Sequence, residues 1–307
     1  MPNATPSSVA AFADTAPAEI LASATQPTRR LWDTLRRDRT LKAGLFVLGI
    51  IIAAALLAPW LVRYDPTRQF DLASPLQPPS AQHWFGTDPV TRDVFSRVLY
   101  GARISLAIAF LAVALTLVIG TAYGALAGYV GGVVDTFMMR TIDAFLSIPR
   151  ILMLIGVLSL WGHLSTLALV LLIAVTGWFG VARLVRTQVV ALRDRDFVAA
   201  SRALGAVGTR TLVRHVIPHL ASPVLVAATL GVGHVIVVEA GLSFLGYGIP
   251  QPQASWGSII RDGREFIQSA WWLTVFPGLA LVLTVLAVNV VSDRLRAAMN
   301  PRQLPAP

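Results

Sequence analysis

The residues of this chain that could carry chemistry lie within long apolar stretches. Glu239 stands in the run VIVVEAGLSF, and His234 lies five positions before it. Glu239 could bind a solute or an ion, or it could be a buried group that makes hydrogen bonds. We favour the second interpretation.

A second group of ionisable residues lies in the apolar stretch 134–160 or at its edge: Asp135, Arg140, Asp143 and Arg150. Ionisable groups are costly in such a segment. Arg140 and Asp143 are three positions apart, so the spacing predicts an ion pair within one helix. Pro149 should kink that helix. A proton relay is conceivable, but we favour a structural ion pair beside an aqueous pathway.

Several kinds of chemistry are excluded. The chain has no cysteine, so disulfides, thiol catalysis and cysteine-bound metals are absent. Lys42 is the only lysine, and it lies in TLKAGL rather than in a phosphate-binding Walker loop. His215 and His219 are four apart, but no glutamate follows His215 and Pro218 lies between them, so they do not form a zinc-protease motif. We predict no catalytic residue and no metal site.

The composition identifies the class of protein that must position these residues. The 307 residues are 55% hydrophobic and 13% charged, whereas soluble domains are about a quarter charged. This favours an integral membrane protein. The formal net charge of +9 does not indicate nucleic acid, because the cations lie in short loops beside apolar stretches, where membrane topology explains them.

Six stretches have the length and apolar character of membrane spans. They cover residues 43–62, 104–129, 134–160, 166–182, 224–245 and 271–291. The bias of arginine towards alternate loops predicts that both termini are cytoplasmic. Four parts follow: a disordered tail at 1–28, a basic collar with the first span and an outer segment at 29–101, a core of five spans at 102–297, and a tail at 298–307.

Between the fourth and fifth spans lies a basic, helix-favouring stretch, residues 192–223, which we call the elbow. Residues 197–204 favour a helix, Gly205 can cap its carboxyl end, and Thr209 can begin a second helix that ends near Pro218. A cytoplasmic elbow of this kind is typical of a docking site for a partner. The alternative is an amphipathic loop that docks nothing.

Gly120, Gly124 and Gly128 recur every four residues in the second span. This small-residue seam allows another helix backbone to approach closely. The neighbour could belong to this chain or to a partner subunit, and both remain open.

Three separated motifs resemble the permeases of ABC importers, in particular the dipeptide, oligopeptide and nickel class. The elbow has a small-residue cluster, then Gly205, then Ile217 and Pro218; the family usually has glutamate where this chain has Ala199. Residues 86–106, GTDPVTRDVFSRVLYGARISL, resemble a family signature that has glycine in place of Thr91. Residues 237–257 share its Glu, Leu-Ser-Phe-Leu-Gly and Ser-Trp-Gly elements. Within this stretch an ion-pair network could form between Asp88, Arg92, Asp93, Arg97 and Arg103. The alternative for 86–106 is an interfacial amphipathic helix of no particular family.

The resemblance implies an all-α membrane protein with six transmembrane helices and the type I ABC importer permease fold, with a cytoplasmic coupling helix in loop 193–220. It implies uptake of peptides or related small solutes, nickel or metal chelates across a bacterial inner membrane. The implied partners are a second homologous permease, two cytoplasmic ATPase subunits that bind the ATP, an extracytoplasmic solute-binding protein and the lipid bilayer. This chain would need no cofactor and would not itself be an enzyme.

The resemblance also suggests which residues matter. Those expected to contact the ATPase are Phe197, Val198, Ala199, Ala200, Ser201, Arg202, Ala203, Leu204, Gly205, Ala206, His215 and Pro218. Those expected along the translocation pathway are Asp143, Pro149, Glu239 and Ser243. Two other classes remain open: a secondary transporter or channel that uses the intramembrane charges, and a membrane scaffold with no transport role.

Overall fold

The computed structural model describes residues 38–67, 75–161, 165–203 and 208–299. Within these ranges, five helices are long and apolar enough to cross a membrane: Arg39–Leu56, Val94–Val130, Thr166–Arg193, Leu212–Tyr247 and Trp272–Met299. A further span is a bent pair of helices, Gly132–Leu146 and Arg150–Trp161. In chain order, with the bent pair as span three, these are spans one to six. The prediction of six spans is confirmed.

Shorter helices complete the described ranges. Ala58–Leu61 follows span one, and Asp196–Ala203, which we call the elbow helix, follows span four. Span five is built from a π-helical turn at Leu212–Val216, a 3-10 turn at Ile217–Leu220 and an α-helix at Ala221–Phe244, preceded by Gly208–Thr211. Trp256–Gly263 and the 3-10 turn Arg264–Phe266 lie before span six.

Two spans extend beyond their apolar stretches because polar contacts hold the extra turns. Span two begins at Val94 rather than at residue 104, and the Asp93 side chain caps it by accepting a hydrogen bond from the Ser96 N–H. Span four continues to Arg193 rather than ending at residue 182. Its last turns carry arginines that pair with span three. Hydropathy alone therefore underestimates the length of both helices.

Span three is broken where the sequence predicts a kink. Its two halves meet at 75° across the segment Ser147–Pro149. Proline disfavours a helical conformation in the residue before it and supplies no N–H of its own. The break places Arg150 at the first position of the second half, so a charged side chain lies inside the span.

Spans two and four form the central pair of the bundle. The three glycines of the seam are buried and face span four of the same chain. A β-carbon added to Gly124 would clash with the Ala182 carbonyl oxygen, and one added to Gly128 would lie 2.8 Å from the Arg186 carbonyl oxygen. The sequence leaves open whether the neighbour of the seam belongs to this chain or to a partner subunit. In the structure the neighbour is span four of this chain.

Span one begins at the side of the bundle where span six ends. Asp38 caps span one and lies 3.5 Å from Arg294 of span six. The hydrogen bond from the Leu41 N–H, with help from Arg294, holds the pKa of the Asp38 carboxyl below its usual value. This side also carries the elbow, and we call it the elbow end; the opposite side is the far end.

Two expectations for the elbow are wrong. Thr209 lies inside the helix that begins at Gly208, rather than before it. The following helix does not end near Pro218 but continues into span five, because Pro218 lies in the first turn of a 3-10 segment, where a missing N–H costs little. The predicted residues Leu204, Gly205 and Ala206 lie outside the described residues, as do the tail at 1–28 and most of the tail at 298–307.

Candidate functional site: the elbow and the polar face of spans three to five

The elbow helix is held against the bundle by one apolar side chain. Val198 is fully buried and belongs to a cluster with five other buried residues from spans two, four and five: Ala125, Val185, Val189, Val216 and Leu220. Phe197, 39% exposed, stacks on the ring of His219 with the centroids 5.1 Å apart. These contacts fix the orientation of the helix on the bundle.

The opposite side of the elbow helix is exposed and consists of three alanines with Asp196 in the first turn. Ala199, Ala200 and Ala203 are all exposed, and Ser201 is partly buried. Of the other predicted contact residues, Pro218 is exposed, His215 is partly buried, and nothing is described of the Arg202 side chain. A flat alanine surface on a rigid helix lets another protein approach its backbone closely.

The polar turn of the elbow is also linked to span two. The Arg193 guanidinium donates a hydrogen bond of 3.1 Å from Nη1 to the Gly128 carbonyl oxygen. This bond joins the elbow to the last glycine of the seam between spans two and four. Because Arg193 is the last residue of span four, this bond ties the start of the elbow to the end of span two.

Two ion pairs join span three to span four near the elbow end. Arg186 Nε donates to Asp135 Oδ1 at 3.0 Å, and Arg183 donates to Asp143. The predicted pair of Asp143 with Arg140 is wrong, because Arg183 of the neighbouring helix takes the Asp143 carboxylate instead. The Asp143 and Arg183 side chains are about half exposed.

Further exposed residues extend from these ion pairs towards the far end. Pro149 is exposed at the break in span three, and His234 is exposed in span five. Near the far end, Ser159 and Tyr247 share a hydrogen bond of 3.0 Å between their hydroxyl oxygens. Polar and ionisable groups in a membrane bundle face its interior or a water-filled cavity rather than lipid. Together these residues form what we call the polar face.

Glu239 and Ser243 do not border the polar face, and their place along the translocation pathway stays a prediction. Both are fully buried. Ser243 Oγ donates a hydrogen bond to Glu239 Oε1 at 2.6 Å, and Ser105 Oγ donates one to Glu239 Oε2 at 3.3 Å. The hydroxyl oxygens of Ser243 and Ser255 lie 3.2 Å apart. The carboxyl group thus links spans two and five to the Ser-Trp-Gly turn. This geometry matches the hydrogen-bonding interpretation of Glu239.

A buried ionic network lies at the far end. Asp88 Oδ2 accepts hydrogen bonds of 2.6 Å from both Arg92 and Arg97, and Arg97 donates to Asp262 at 2.9 Å. Asp93 lies 2.9 Å from His83 instead of joining the arginines. Arg103 lies over the Tyr100 ring, so the predicted network forms without it. Asp262 has no counterpart in the sequence prediction, because it is 165 positions from Arg97.

One departure from the family pattern has a visible structural consequence. Thr91 has a φ of +65°, a left-handed conformation that glycine adopts without steric cost. The turn that holds Asp88 and Arg92 together requires this conformation, which accounts for the glycine that the family signature has at this position.

The bundle has the fold of the transmembrane subunits of ABC importers. The structure of the methionine ABC transporter MetNI in an inward-facing conformation has a chain that matches 67% of this chain and is itself 98% covered, with a TM-score of 0.50 and 20% identity. At this identity the likeness establishes the fold, which is that of a type I importer permease.

Residues 120–304 match the family described as binding-protein-dependent transport system inner membrane component, and residues 26–79 match the N-terminal TM domain of oligopeptide transport permease C. The chain belongs to this family of transport permeases. It is 38% identical to the dipeptide transport system permease protein DppC of Alkalihalophilus pseudofirmus over 93% of each chain. It is 39% identical to the oligopeptide permease OppC of Bacillus subtilis (89% of this chain, 90% of the relative) and 38% identical to the nickel permease NikC of Escherichia coli (85% and 94%).

Proposed function

We propose that this chain is one of two permease subunits of an ATP-driven importer of peptides or related small solutes in a bacterial inner membrane. The names of its relatives support peptides, and one relative is named for nickel. On this proposal a second homologous permease completes the pathway, and an extracytoplasmic binding protein delivers the solute. The positive-inside rule puts the elbow and both termini in the cytoplasm.

ATP is bound and hydrolysed by two separate cytoplasmic subunits. This division of labour is supported by the family and by the absence of a Walker loop around the only lysine. The permease therefore supplies motion and a path rather than a reaction. No residue of this chain is proposed to be catalytic.

The observation that carries the coupling part of the proposal is the two-sided elbow helix. Its buried side, through Val198, fixes it to spans two, four and five, and its exposed side presents Ala199, Ala200 and Ala203. We propose that an ATPase subunit receives this alanine surface in a groove. Closure of the ATPase pair would then move the elbow as a rigid body, and spans four and five with it, so that access to the pathway alternates.

The test is uptake of radiolabelled dialanine by the complete complex in proteoliposomes, with Ala200→Trp as the variant. The indole should prevent docking, so ATP-driven uptake should fall at least roughly tenfold, the effect of losing about 1.4 kcal/mol at an interface. Co-purification of the ATPase should fall in parallel. Ala53→Trp, at an exposed alanine of span one, is the control and should retain both.

Uptake that persists without the ATPase subunits but stops when the proton gradient is collapsed would contradict the proposal and favour a secondary transporter. Normal uptake by Ala200→Trp would contradict the role of the elbow helix while leaving the permease function intact.

A further inference from the structure

Arg150, which follows Pro149 at the break in span three, carries a positive charge that no carboxylate of the described residues balances. Asp135 and Asp143 are each paired with an arginine of span four. Arg150 instead donates from Nη2 to the Ile173 carbonyl oxygen at 2.8 Å and from Nε to Thr176 Oγ1 at 3.4 Å, both neutral acceptors. Throughout the described ranges, no carboxylate lies within 4.0 Å of its guanidinium.

Arg150 lies between two cavities at the break in span three. One, of about 90 Å³, is lined by Thr116, Gly177 and His234 as well as Arg150. The other, of about 190 Å³, lies between the break and span four, with Pro149, Thr176 and Gly180 in its wall. The guanidinium is thus held in place by span four while remaining open to space on two sides.

The position of this charge within the spans excludes a lipid headgroup as its balancing partner. Its acceptors, Ile173 and Thr176, lie seven and ten residues from the start of span four at Thr166, about 10–15 Å along the helix axis. His234 lies 13 residues from Tyr247, where span five ends at the same far end, which corresponds to about 20 Å. A cation at this depth pairs with another charge or with backbone carbonyls. The two neutral acceptors take only part of the five N–H donors of the guanidinium, so an anion from the protein assembly or along the pathway can still bind it.

We infer that Arg150, with His234 beside it, forms a binding station in the translocation pathway for solutes that carry a carboxylate. The guanidinium can bind a carboxylate through two parallel hydrogen bonds, and the imidazole adds a donor from the neighbouring span. This inference rests on the proposed permease function and deepens it, because it names the chemical class of the cargo. A peptide fits through its terminal carboxylate.

The same station disfavours a bare divalent cation. A cation would be repelled by Arg150, and no group of three or more His, Asp or Glu side chains that could hold a metal occurs within the described part of the chain. A metal would therefore pass this point only within an anionic chelate. The station distinguishes this chain from a carrier of free metal ions.

The absence of cysteine from the chain permits a direct electrostatic test. In the purified complex in nanodiscs, a single cysteine at His234→Cys is reacted with an anionic and with a cationic methanethiosulfonate reagent. The ratio of anionic to cationic rates should exceed that at Gly241→Cys, a position on the same helix with open space around it, by at least about fivefold. Arg150→Gln should abolish this difference and Arg150→Lys should retain it.

A second arm measures transport in proteoliposomes, as the ratio of uptake of dialanine to uptake of its carboxyl-terminal amide. Since the same binding protein delivers both, its own preference cancels when variants are compared. Arg150→Gln should lower the ratio roughly tenfold, and Arg150→Lys should restore most of it. Arg150→Lys also shows whether loss of the guanidinium acts through folding.

Equal rates of the two reagents at His234→Cys would mean that the second permease neutralises the charge, and would overturn the inference. An unchanged acid-to-amide ratio in Arg150→Gln would also overturn it. If the wild-type complex shows no ATP-driven uptake at all, the proposed function fails instead, and the reagent ratios still decide whether the station exists.

Discussion

Asp88→Asn is expected to lower the melting temperature of the detergent-solubilised complex by on the order of 10 °C. The fully buried carboxylate accepts hydrogen bonds from Arg92 and Arg97 as well as from the Val90 and Arg92 N–H groups. Removing its charge leaves two buried guanidinium groups with only Asp262, and breaking a buried pair costs about 3–5 kcal/mol. For a domain of this size about 2–4 °C are lost per kcal/mol.

The matched control is Asp194→Asn in the elbow. Asp194 lies 3.5 Å from Arg193 and its side chain is 73% exposed, and exposed pairs contribute less than about 1 kcal/mol. Size-exclusion chromatography after stepwise heating measures both variants. A melting temperature for Asp88→Asn close to that of Asp194→Asn would show that the network is not what stabilises the far end.

Gly124→Ala is expected to cost about 3 kcal/mol or more, the upper part of the range for overpacking. The added β-carbon would clash with the carbonyl oxygen and backbone of Ala182. A backbone atom cannot move aside as a flexible side chain can, so spans two and four must separate along their length. The folded yield should drop sharply, and the melting temperature of the surviving protein should fall by roughly 6–12 °C.

Gly180→Ala provides the comparison, because a β-carbon added there meets nothing within 4 Å and alanine favours a helix more than glycine does. That variant should be as stable as the wild type or slightly more stable. Equal melting temperatures for Gly124→Ala and Gly180→Ala would mean that the seam packs elsewhere in the functional complex.

The sequence predicted those features that depend on local physical chemistry. Apolar length located six spans, Pro149 located the break in span three, and the repeat of three glycines identified a close helix contact. Each depends on residues within one helix, so a single stretch of sequence contains the necessary information.

The sequence did not predict contacts between distant elements. Asp143 pairs with Arg183 and Arg97 pairs with Asp262, and in each case a residue on another helix provides the contact. Glu239 and Asp143 are both acids in apolar runs, yet one is buried among serines and the other lies on the polar face. Only the packing of the spans distinguishes them, and it also shows that Arg150 has no acidic neighbour among the residues that the structure describes.

The elbow illustrates both outcomes. Its helix at Asp196–Ala203 follows from helix propensity, but its fixed orientation depends on Val198 meeting side chains from three spans. The predicted end near Pro218 was wrong because proline in the first turn of a helix is compatible with continuation. The alanine side that results is the feature on which the coupling proposal depends.

The most direct measurement of that proposal is photo-crosslinking from single sites in the complex within native membranes. A photoreactive amino acid at Ala199, on the exposed side of the elbow helix, should capture an ATPase subunit. The same amino acid at Gln82, an exposed residue at the far end, should capture the binding protein or nothing. Failure to capture an ATPase from Ala199, or its capture from Gln82, would contradict the account.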